Sequence, residues 1–114
     1  VRADVVIGGF TAGAGNRSGT FGALLVGRPD DRGRLAFAGG VGTGFDQRRL
    51  DELTALLRSI AVDDCPFDPP PPRAAAVGAT WVRPVLEATI EIAEFTNDGL
   101  VRHASFVDVR RVRS

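Results

Sequence analysis

Fourteen arginines and no lysine supply the permanent side-chain cations of this 114-residue chain. Without lysine it can form no Schiff base, no P-loop lysine contact and no lysine-linked covalent intermediate. Its cationic chemistry is therefore electrostatic, the forked contact of a guanidinium with phosphate or carboxylate. Two places concentrate it. Residues 102–113 carry Arg102, Arg110, Arg111 and Arg113 against Asp108 alone, whereas Glu87, Glu91, Glu94 and Asp98 make the preceding stretch acidic. Arginines at a strand end suit phosphate contact, although a basic tail on a solvated edge has the same composition. The second place is an arm from Ala12 to Gly22 in which Gly13, Gly15, Gly19 and Gly22 accompany one charge, Arg17. Such an arm reaches positive φ freely and loses entropy when ordered. It lets backbone amides and Arg17 approach a phosphate backbone closely.

Other constellations read more plainly. Gly40-Val41-Gly42-Thr43-Gly44 opens a helix, as a dinucleotide cradle would, but Phe45 stands where G-x-G-x-x-G needs glycine and no second βαβ unit follows. These glycines read instead as a sharp bend from strand to helix. Asp63, Asp64 and Asp68 miss the spacing, the glycine and the closing glutamate of an EF-hand, so they read as solvated loop carboxylates, with no metal ligands assigned. Cys65 lies in no recognisable nucleophile motif and reads as a small hydrophobe. Trp81, the sole tryptophan, reads as a core aromatic in preference to a base-stacking platform.

The length suits one domain with its own core, and zero formal net charge requires any polyanion site to be local. A single cysteine precludes an internal disulfide and suits a reducing, cytoplasmic compartment. No segment has the length and apolarity of a membrane span, so no membrane partner is expected. The start at Val1, without methionine and almost directly in a strand, suggests a piece of a longer polypeptide.

The elements that must position these residues follow in order. Residues 4–11, 23–28 and 34–41 read as three meandering strands, with Pro29-Asp30-Asp31-Arg32-Gly33 as a turn and Leu35, Phe37, Gly39 and Val41 on one face of the third. Residues 46–62 read as a helix with Asp46 as N-cap and Leu50, Leu53, Leu56, Leu57 and Ile60 on its core face. An irregular connector, in which the four-proline run Pro69–Pro72 is a stiff surface spacer, runs to about Gly78. A short strand at 80–83 stops at Pro84, a long one covers 86–96, Asn97-Asp98-Gly99 turns, and 100–110 closes the chain. The order predicts a mainly β protein: an OB-fold, a five- to six-stranded Greek-key barrel with one α-helix between the third and fourth strands. Residues 1–114 then form a single OB-fold domain.

Several stretches carry a resemblance in matching order: Val6-Ile7-Gly8-Gly9-Phe10-Thr11, Gly22-Ala23-Leu24-Leu25-Val26-Gly27, Phe37 to Phe45, Trp81-Val82-Arg83-Pro84 and Arg102-His103-Ala104-Ser105-Phe106. Together they resemble the C-terminal OB domain of bacterial ATP-dependent DNA ligases, of the ligase D or non-homologous end-joining type. The resemblance covers nearly the whole chain. It implies that this domain works with an N-terminal nucleotidyltransferase domain of the same polypeptide, which holds the lysine that becomes linked to AMP and is absent here. ATP and Mg2+ or Mn2+ would serve the full-length ligase, with none bound by this domain alone. The OB domain would turn one surface to ATP and the other to nicked or broken duplex DNA, in DNA repair and recombination.

Carried over residue by residue, the resemblance makes Arg102, Arg110 and Arg113 an ATP- and pyrophosphate-orienting motif. Val112 stands where the family has aspartate, Arg113 where it has lysine and Asp108 where it usually has glycine. On the DNA-facing side Arg17 in the glycine arm is the first candidate, with Ser18 and Thr20 as weaker phosphate donors and Arg28 and Arg83 as lesser candidates. Two alternatives remain beside this reading: a non-enzymatic OB module binding single-stranded nucleic acid, and a ligase paralogue whose last motif has decayed.

Overall fold

The structure, a computed structural model, describes residues 1–15 and 19–112. Its strands are β1 (Arg2–Ala12), β2 (Phe21–Pro29), β3 (Leu35–Val41), β4 (Ala61–Val62), β5 (Thr80–Glu91), β6 (Glu94–Phe95), β7 (Val101–Arg102) and β8 (Ser105–Arg111). The helices are α1 (Gln47–Ser59), between β3 and β4, and a single turn, α2 (Arg73–Ala76), which the sequence did not suggest. The first three strands form the expected meander, β3-β2-β1, and β1 then pairs antiparallel with β5. The order continues from β5 to β8 on one stretch and to β4 on another.

The sheet closes where Phe106 N donates to Thr43 O at 2.9 Å and Thr43 Oγ1 donates to Ala104 O at 3.1 Å. This joins the segment after β3 to the start of β8, giving the OB barrel. Gly44 makes the closure possible: its φ is +93°, and a Cβ there would lie 2.5 Å from both N and O of Phe106. The glycine-rich bend therefore serves barrel closure through a backbone approach that side chains forbid.

Asp46 caps α1 as its position suggests, Oδ1 accepting from Arg49 N at 2.8 Å. Leu50, Leu53 and Leu57 are buried with Val5, Ile7, Phe21, Val82 and Ile90 in one core. Leu56, expected on that face, is exposed. The helix ends at Ser59 instead of residue 62, because Ala61 and Val62 pair with Val82 and Trp81 and satisfy their backbone in a ladder.

Pro84 does not stop a strand. Ile7 pairs with Leu86 while Gly9 pairs with Trp81, so four residues of β5 oppose the single Gly8 of β1. Proline, which has no N–H to donate, is accommodated in this bulge and bends β5. The later strands are shorter than expected: the 86–96 strand ends at Glu91, and the closing strand breaks at His103, φ +55°, into β7 and β8. On β3 a bulge opposite Val26 and Gly27 shifts the alternation, so that Ala38 is buried and Phe37 only half-buried.

The connector is more than a spacer. Phe67 is buried outside the barrel core, its ring lying on Gly8 and Gly27, where a Cβ would approach it to 2.5 and 2.8 Å. Its ring centroid is 5.3 Å from that of Phe37 and 6.0 Å from that of Trp81, both edge-on. Trp81 is thus half-buried in a secondary cluster and not in the main core. Cys65 is half-buried beside it, its thiol 3.8 Å from Phe67 O, and Pro71 is buried whereas Pro69, Pro70 and Pro72 are exposed. Among the described residues no helix is long and apolar enough to cross a membrane.

Candidate nucleic-acid interface and the C-terminal arginines

The glycine arm leaves the barrel as a continuation of the β1–β2 hairpin. Ala12 pairs with Phe21, Gly13 N donates to Thr20 O at 3.3 Å, and Ala23 N donates to Thr11 Oγ1 at 3.0 Å. Arg17 and Ser18 lie outside the described residues. Thr20 stands at the arm's root and, with Phe10, Gly13, Arg58, Gly78 and Thr80, lines a hollow of about 270 Å3.

Arg28 and Arg83 are placed differently. Arg28, at the far end of β2 and seven residues from Phe21, is about 23 Å along the strand from the arm. Its guanidinium lies over the Phe95 ring at 4.3 Å, a cation–π contact that ties the β6–β7 hairpin to β2. Arg83 occupies the β5 bulge, exposed and without a carboxylate at ion-pair distance among the described residues. It is three residues along β5 from Thr80, which lines that hollow, whereas Arg28 is remote from it.

The C-terminal arginines do not form one cluster. Arg102 is on β7, its Nη1 3.5 Å from Glu94 Oε1 across the small hairpin. Arg110 is near the far end of β8; Ser105 to Arg110 alone spans about 17 Å of strand. Arg113 lies outside the described residues.

Arg110 is clamped. Its Nη2 is 2.9 Å from Asp4 Oδ1 and 2.8 Å from Glu87 Oε1, and its Nη1 donates to Thr89 Oγ1 at 2.8 Å. The Thr89 hydroxyl in turn donates to Asp4 Oδ1 at 2.9 Å. The register explains the convergence, since Asp4 pairs with Thr89 on β1–β5 and Glu87 with Arg110 on β5–β8. The Thr89 hydroxyl and then the Arg110 guanidinium hold the Asp4 carboxyl below its usual value of 3.8. Asp4 in return holds the Arg110 proton more tightly than usual. One guanidinium facing two carboxylates leaves a local charge of −1, which opposes a further anion.

Sequence reasoning missed the clamp because Asp4 is 85 residues from Thr89, although the acidic stretch containing Glu87 was a partial signal. It also missed Arg58 and Thr80, since Arg58 sits on the solvent side of an amphipathic helix and only the fold brings it to the arm.

The model of a family described as "ATP dependent DNA ligase C terminal region" matches residues 17–113. The chain is 44% identical over 107 residues to the multifunctional non-homologous end joining DNA repair protein LigD of Mycobacterium tuberculosis, covering 94% of this chain and 14% of that one. It is 36% identical over 112 residues to LigD of Pseudomonas aeruginosa, covering 96% of this chain and 13% of that one. The chain thus spans about a seventh of the length of these relatives. Among solved structures, the ligase domain of M. tuberculosis LigD matches with a TM-score of 0.90 at 40% identity, over 100% of this chain and 39% of that one. A mycobacterial DNA ligase D complexed with ATP and MES matches with a TM-score of 0.84 at 40% identity, over 96% and 34%.

Proposed function

The chain belongs to the C-terminal regions of ATP-dependent DNA ligases, and from that premise we propose that it grips duplex DNA around a nick while a nucleotidyltransferase domain of the same polypeptide carries out the covalent chemistry. The reading includes ATP and Mg2+ or Mn2+ as requirements of the whole ligase, end joining and repair as its process, and the cytoplasm as its compartment. The observation that carries it is the match of 100% of this chain to part of a LigD ligase domain at 40% identity. The absence of lysine supports the division of labour, since the nucleotide-linked residue must lie elsewhere.

The described residues do not by themselves fit a triphosphate. Arg102 on β7 and Arg110 near the far end of β8 stand apart, each paired with carboxylate, and Arg110 faces two. What the chain offers is sequence-blind phosphate contact from the arm side of the barrel. Among the described residues of that motif, Arg102 can lend charge to adenylylation only after leaving Glu94, and Arg110 only after leaving Asp4 and Glu87.

The same clamp, with Val112 in place of aspartate, favours a second reading, a paralogue whose last motif has decayed. The single-strand module has less support, because stacking needs exposed aromatic faces. Phe10, Phe21, Phe67 and Phe106 are buried, and Trp81 is half-covered.

Intact mass of the full polypeptide, measured before and after incubation with ATP and a divalent metal, tests the proposal. One AMP should be gained and then lost on addition of nicked duplex. A folded polypeptide that gains none is a binding module or a decayed paralogue.

A further inference from the structure

We propose that the hollow at the root of the glycine arm is a seat for one phosphodiester group of the bound DNA strand, with Arg58 of α1 as its cation. The inference rests on the ligase reading above and adds a site to it. Three stretches distant in sequence converge there: the end of β1 with the root of the arm, the last turn of α1, and the start of β5. At about 270 Å3 the hollow is smaller than a usual small-molecule pocket, so it takes a group and not a whole ligand.

Its chemistry is that of an oxyanion seat. Arg58 is exposed and has no carboxylate at ion-pair distance among the described residues, unlike Arg34, Arg48, Arg102 and Arg110, so its donors are available. The Thr80 hydroxyl likewise has no hydrogen-bond partner among the described residues and lines the same wall. At Gly78, which lines the hollow, no described residue lies within 4 Å of where a Cβ would be, so a strand can approach the backbone there without meeting a described side chain. Phe10 provides an apolar floor, which strengthens a charge-assisted hydrogen bond above it. A DNA backbone fits this site better than a free anion because one guanidinium in an open hollow holds a phosphate weakly, and several such contacts along a strand are needed for affinity.

The test compares Arg58→Ala and Arg58→Lys with the unaltered full polypeptide, using nicked duplex as the probe over a series of salt concentrations. Arg58→Ala should weaken binding on the order of fivefold and make the slope of log affinity against log salt shallower by about 1. Arg58→Lys should restore the slope but not all of the affinity, because charge is kept and the fork is lost. A change under twofold with an unaltered slope overturns the proposal, as does a loss that falls on the ATP concentration needed for AMP-adduct formation. Failure of the ligase reading itself is distinguished by the unaltered polypeptide: no AMP adduct and no preference for nicked duplex would overturn that reading and this site with it.

Discussion

Arg110 shows how a residue's type and position can agree with a family while its surroundings change what it can do. A guanidinium is always charged, but two carboxylates and a threonine hydroxyl engage three of its five N–H groups. The clamp is exposed and therefore weak enough to be exchanged for another anion. Its pH dependence has a definite sign. The Asp4 carboxyl is depressed in the folded state, so its contribution to stability is present above the unfolded value near 3.8 and is lost as pH falls through the lower folded value. Asp4→Asn should lower the melting temperature slightly at neutral pH, and the difference from the unaltered protein should shrink as pH falls below 3.8 through the lower folded value. Melting curves across that range check it, and a difference that persists in acid would show that Asp4 acts through something other than its charge.

At the scale of elements, much of the architecture rests on a few positions where backbone meets backbone or ring meets backbone. The bend after β3 is the decisive one, because barrel closure passes through Gly44. Gly44→Ala would place a methyl group 2.5 Å from Phe106 N and O at φ +93°. A destabilisation of about 2 kcal/mol or more is expected from the conformation alone, with the closing Phe106–Thr43 hydrogen bond weakened as well. Urea unfolding of the variant measures it, and a cost below about 0.5 kcal/mol would mean that the barrel closes without this approach. The strands themselves were legible from alternation and the helix from its leucines, since these patterns are local. The continuity of β5 through Pro84 was not, because a bulge is defined by the partner strand, here the single Gly8 opposite four residues.

For the whole molecule, zero net charge means that no long-range field draws it to DNA, and the proposed grip would have to come from a few local contacts. The outer face of β1, β5 and β8 carries Asp4, Glu87, Glu91 and Asp108 against Arg2 and Arg110, and so repels phosphate. The arm side carries Arg58, and Arg83 lies in the β5 bulge, neither of them paired among the described residues. The domain by itself should bind nicked duplex weakly, with a slope of log affinity against log salt no steeper than about −3, corresponding to roughly three neutralised phosphates. Titration at several salt concentrations gives the slope. A much steeper one would require a cationic surface that these residues do not form.

By itself the sequence determined the OB order of strands and helix, the N-cap at Asp46, the exclusion of lysine chemistry and, through ordered motifs, the ligase family. Each depends on local periodicity, on residue type or on linear order, which a chain displays before it folds. Tertiary structure alone decided that Arg102 and Arg110 stand apart, that Asp4 and Glu87 hold Arg110, that Phe67 rests on Gly8 and Gly27, and that Arg58 reaches the arm. These are contacts across tens of residues, set by sheet register and barrel closure. A shift of one residue in register would exchange the faces of a strand and undo the pairings made on them.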